Sequence, residues 1–168
     1  MTGRLATLTG DFLAQSPLRH GPFRVFYAGA IAAALGYTMQ TTVAAWLMAT
    51  LTPSAVMVAL VQTASTAPAL LFGLFAGAMA DIVDRRKVIV ATQVVLVAAS
   101  ALLGVAAIAG WVGPAMLLAM TFVVGAGFAF YQPAQQASVN DLVARAEMPQ
   151  AVSLNAVGFN VSRAIGPA

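Results

Sequence analysis

Asp81, Asp84, Arg85, Arg86 and Lys87 crowd two carboxylates and three cations into residues 81–87. Charges of both signs at that spacing can form ion pairs that break when one surface moves past another. Cations beside a membrane would by themselves set orientation and attract anionic headgroups, at about 1 kcal/mol each. Acids contribute little to orientation, so the two aspartates need another role. A conformational latch supplies one, with Asp141 as the further carboxylate that Arg85 or Arg86 is expected to reach. Elsewhere the chemistry is sparse. There is no cysteine, which excludes disulfides, thiolate metal sites and cysteine catalysis. The single His20 lies in a basic segment and reads as a solvated interfacial residue rather than a ligand or catalyst. No phosphate-cradling Gly-x-x-x-x-Gly-Lys-Ser/Thr loop is present, and no metal or cofactor site is expected.

Arg163 is the one charge outside three ionisable islands, at residues 4–24, 81–87 and 141–147. A cation within a bilayer costs about 2.5–3.5 kcal/mol on insertion scales, so it should face protein or a wet cavity. Arg163 is therefore a candidate substrate or coupling residue, with Asn160 three residues before it and Gln40 and Gln136 as further polar candidates. Snorkelling or helix bracing is the alternative reading of Arg163.

The elements that must hold these residues are membrane helices. Residues 25–80 and 88–140 contain no Asp, Glu, Lys, Arg or His. Each stretch is too long for one crossing of about 20 residues and suits two joined by a turn. Parity then puts all three islands on one side, and seven of the eight Lys and Arg residues lie in them. That asymmetry marks the cytoplasmic side. With 61% apolar and 8% charged residues, the chain reads as all-α and polytopic. Its net charge of +3 sits in loops that flank apolar spans, so nucleic-acid binding is not expected. The spacing predicts a cytoplasmic lead over residues 1–22, where Leu5, Leu8, Phe12 and Leu13 suit an interfacial turn. It then predicts spans at about 23–51, 55–80, 88–109, 114–140 and 149–168. Phe23, Phe26 and Tyr27 suit an inner aromatic belt, with Trp46 and Trp111 at the outer one. Ala69, Gly73 and Gly77, four residues apart, predict close helix packing on the second span, with Asp81 continuing the stripe.

The loop Gly77-Ala78-Met79-Ala80-Asp81-Ile82-Val83-Asp84-Arg85-Arg86-Lys87 resembles the cytoplasmic signature between the second and third helices of the major facilitator superfamily. Gly77, Asp81, Arg86 and Lys87 match it, whereas Ile82 replaces a basic residue and Asp84 a glycine. The Asp-Arg-Arg variant resembles the exporter branch of siderophore and drug exporters. So do Met39-Gln40-Thr41, Leu51-Thr52-Pro53-Ser54, Phe130-Tyr131-Gln132-Pro133-Ala134 and the run from Asn155 to Ala168. Thr121 stands where many proton-coupled exporters have an arginine, and Ser162 where an antiporter-type motif has glycine. The resemblance implies the first five helices of a twelve-helix fold in the cell inner membrane, with the N-terminus cytoplasmic. It also implies secondary active export of a small organic molecule by alternating access, with the latch loop stabilising one access state. The partners implied are the lipid bilayer, the substrate and a missing C-terminal half. The alternative is a truncated or small membrane scaffold without transport activity. An integral membrane enzyme is not expected, because no acid or histidine lies within a span.

Overall fold

The computed structural model describes residues 16–167, so the expected interfacial turn at Leu5 to Leu13 lies outside the described residues. A short 3-10 turn, Pro17–Arg19, leads into five helices: α1 Gly21–Leu51, α2 Ala55–Ile82, α3 Arg85–Ile108, α4 Pro114–Leu142 and α5 Met148–Ile165. A second 3-10 turn, Arg145–Glu147, joins α4 to α5. The helix starts follow local chemistry. Ser54 Oγ accepts from the Met57 amide at 3.4 Å and Asp84 Oδ1 from the Arg86 amide at 2.9 Å, so each satisfies an orphan donor. Prolines occupy the first turns of α1, α4 and α5, where no intrahelical N–H is lost. Gly110 turns the chain out of α3 at φ 72°, a conformation that favours glycine.

Three helices, α2, α3 and α4, are long and apolar enough to cross a membrane by length and composition. α1 has 31 residues, ample length for a crossing, but Thr38, Gln40, Thr41 and Thr42 dilute its apolar face. α5 has 18. These two less apolar helices pack against each other through polar groups. Tyr27 Oη donates to the Leu154 carbonyl at 2.9 Å, and Thr38 Oγ1 to the Ser162 carbonyl at 3.1 Å.

Helix α4 runs through the middle of the bundle, with Leu117, Val124, Phe128, Ala134 and Val139 buried along its length. At the uncharged end Met48, Val61, Leu103, Val112 and Leu117 form one cluster from α1, α2, α3 and α4. At the other end Phe23, Val139 and Ala151 join α1, α4 and α5, while Ala80, Val88 and Ala134 join α2, α3 and α4. Phe23, expected in an aromatic belt, is instead fully buried and stacked on Tyr27 at 6.0 Å. It closes the wedge between α1, α4 and α5 together with Val139 and Ala151.

Close helix approach occurs elsewhere than the spacing of α2 predicts. Ala69 and Gly73 are exposed, and a Cβ added at Gly73 or Gly77 would meet nothing within 4 Å. α2 turns a different stripe inward, Val61, Ser65, Pro68, Ala76 and Ala80. The tight crossing belongs to Gly125 on α4, where an added Cβ would lie 2.6 Å from the Ser65 carbonyl oxygen. Along α5 and at its C-cap, small residues recur at a spacing of four at Gly158, Ser162 and Gly166. A Cβ at Gly158 would come within 2.9 Å of Tyr27 Oη, and one at Gly166 would collide with Thr38. Lipid tails are as apolar as leucine, so such backbone proximity and hydrogen bonds hold membrane helices together.

Candidate functional site

The described residues of the three charged islands meet at one end of the bundle. Asp84, capping α3, places Arg85 in its first turn facing the end of α4. There Arg85 Nη1 donates to Asp141 Oδ2 at 2.6 Å and to the Ala137 carbonyl at 3.1 Å. The aspartate is largely exposed, so the pair is worth only about 0–1 kcal/mol of stability. Arg86 and Lys87 are exposed, and Asp81 has no hydrogen bond or ion pair among the described residues. The cluster thus divides by role: Asp84 caps a helix and Arg85 alone crosses to α4.

A second ionic contact escapes sequence reasoning. Glu147, buried between the α4–α5 turn and the start of α1, meets Arg19 Nη2 at 3.0 Å through Oε1 and His20 Nε2 at 3.1 Å through Oε2. Burial pushes the Glu147 carboxyl up, but hydrogen bonds and charge from His20 and Arg19 outweigh it and hold the group below its ordinary value. His20 is therefore a partner of this carboxylate, not merely a solvated residue. The available signal was the opposite charge of the first and third islands, placed on one side by parity.

The four polar candidates do not form one site. Gln136 lines a cavity of about 510 Å³ between α1, α4 and α5. Gln40 lies in a separate groove against α3, where its Oε1 accepts from the Ser100 hydroxyl. Asn160 is exposed and its Nδ2 donates to the Ala156 carbonyl of its own helix at 2.8 Å, and no hydrogen bond joins it to Arg163 among the described residues. Arg163 is exposed, one turn beyond Phe159, with its guanidinium 6.0 Å from that ring. Helical phase explains the scatter, because positions chosen for polarity project in directions that polarity does not specify. Thr121, at the position where many proton-coupled exporters have an arginine, is buried and its hydroxyl donates to the Leu117 carbonyl at 2.7 Å.

Residues 13–168 match the family described as transmembrane secretion effector, which covers the whole bundle together with the charged loop. The chain belongs to that family. No curated protein and no solved structure matches it. A transmembrane secretion effector is a membrane transporter of the exporter type in the major facilitator superfamily, and the five-helix bundle is consistent with part of that fold. In this chain the helices α2, α3 and α4 give the membrane-crossing signal, and the Arg85–Asp141 contact lies where α3 begins and α4 ends.

Proposed function

We propose that this chain is part of a secondary transporter that exports a small organic molecule by alternating access, paired with a second helical half. The observation that carries the reading is the Arg85–Asp141 bridge. It ties the α2–α3 loop to the end of the central helix, outside the packed core, in a chain of the secretion effector family. A pair worth so little stability can break and reform as the bundle rocks. Asp81, Asp84, Arg86, Lys87 and the Gly77 position at the end of α2 complete the proposed latch loop. Asn160 and Arg163, exposed on α5, are proposed to meet the second half, since an arginine in a bilayer needs a polar or acidic neighbour. The charged end is proposed to be cytoplasmic, on the weight of its cations.

Everted membrane vesicles carrying the complete transporter should accumulate at least one member of a compound panel when energised. Arg85→Gln and Asp141→Asn should each reduce that rate, by up to roughly fivefold, because losing a pair worth about 1 kcal/mol at most shifts the populations of the two access states by no more than that. Equal accumulation in vesicles lacking the protein for every compound would overturn the transport reading. Unaltered rates in both variants would remove the latch.

A further inference from the structure

The cavity between α1, α4 and α5 has a chemistry of its own. Its polar lining is five carboxamides, Gln132, Gln135, Gln136, Asn140 and Asn155, beside Tyr27 and Tyr131. No Asp, Glu, Lys, Arg or His lines it. Gln135 Nε2 donates to Asn155 Oδ1 at 3.5 Å, which holds one pair against each other across the gap. The side chains of Gln132, Gln136 and Asn140 make no hydrogen bond among the described residues, so their donors and acceptors remain available to a guest. One wall is aromatic and braced from behind: Tyr131 packs on Phe128 at 5.8 Å, and Phe128 stacks on Tyr37 at 4.0 Å.

The cavity exists because α5 leans on α1. Gly158 and the Tyr27–Leu154 bond draw these two helices together, leaving the α4–α5 side open. Asp141, the chain neighbour of the lining residue Asn140, is paired with Arg85. Glu147 is already neutralised by Arg19 and His20, and Arg163 lies a turn beyond Phe159, outside the lining. A charged guest would shed water and find no counter-charge on these walls. A carboxamide, by contrast, both donates and accepts, so several together read a guest that does the same. The volume is in the range of small-molecule sites.

We propose that this cavity binds an uncharged, planar aromatic molecule bearing amide or lactam groups. Its ring lies against Tyr131 and its polar edge is read by Gln132, Gln136 and Asn140. The proposal rests on the transporter reading and supplies the substrate class for it.

The test is equilibrium dialysis of the complete protein in lipid nanodiscs, with empty nanodiscs as the partition control. Three probes share one shape: naphthamide, naphthoate and naphthylmethylammonium. Naphthamide should bind about tenfold or more tighter than either ion. Gln132→Leu with Gln136→Leu, substitutions at positions that are not fully buried, should weaken naphthamide by roughly tenfold, whereas Arg163→Gln should leave it unchanged. Equal or tighter binding of either ion, unaltered naphthamide binding in the double variant, or no naphthamide binding overturns the proposal. Naphthoate binding that is lost in Arg163→Gln would overturn it in favour of an anion site. Binding is measured without transport, so an inactive vesicle preparation leaves these outcomes distinct.

Discussion

Glu147 is the residue whose protonation should be most visible in stability. Its folded carboxyl titrates below the ordinary 4.5, because His20 and Arg19 favour the charged form. The stabilisation is therefore fully present above the unfolded value and is lost as pH falls through the folded one. Thermal unfolding in detergent should show a Tm that drops across that acidic window, and Glu147→Gln should remove this component of the drop while lowering Tm at neutral pH. An unchanged acid profile in Glu147→Gln would assign the effect to other groups. Residue types made the two ionic contacts unequally legible. Arg85 belongs to a dense charge cluster, and Asp141 closes the stretch that must return beside it. Glu147 and His20 are 127 residues apart, and neither has a local spacing that announces the other. The carboxamide cavity was less legible still. Gln132, Gln136 and Asn140 share one face of α4 by their spacing of four, but their meeting with Asn155 depends on how α5 tilts.

Helix number and turn positions follow from uncharged runs, prolines and caps, which act locally. Which face of a helix meets a neighbour does not. Ala69, Gly73 and Gly77 have the spacing of a packing stripe, yet Gly73 faces open space, while Gly125 on α4 seats against the α2 backbone. Small residues permit close approach without compelling it, and in a bilayer an unoccupied small-residue face carries little penalty. Paired substitutions separate these cases. Gly125→Ala puts a methyl 2.6 Å from a backbone oxygen and should destabilise the bundle by about 1–3 kcal/mol. Gly73→Ala adds the same methyl in empty space and should be neutral or stabilising by up to about 1 kcal/mol through helix propensity. Thermal unfolding of both variants in one detergent measures the contrast. A costly Gly73→Ala would reveal a neighbour on that face.

Across the whole molecule, the gathering of three charged islands at one end was readable from parity, since each uncharged run must go out and return. Which compartment that end faces rests on the cation bias. Single cysteines in an otherwise cysteine-free chain can report it. Cysteine at Ser54 or Gly113, in the turns before α2 and α4, should react with an impermeant reagent added outside intact cells. Cysteine at Val83, between α2 and α3, should react only after permeabilisation. The reverse pattern would invert the topology.

The seam between α1 and α5 also sets an order of manufacture. α1 leaves the ribosome first, but the carbonyl that Tyr27 bonds to is translated 127 residues later. At roughly 5–20 residues per second, that is a delay on the order of ten seconds. Thr38 can wait by bonding the Ala34 and Leu35 carbonyls of its own helix. The Tyr27 hydroxyl has no such interim partner among the described contacts. The first helix made is thus seated in two steps: its uncharged end packs with α2, α3 and α4 as they arrive, while its Tyr27 end depends on the insertion machinery or on headgroup water for what α5 will later provide.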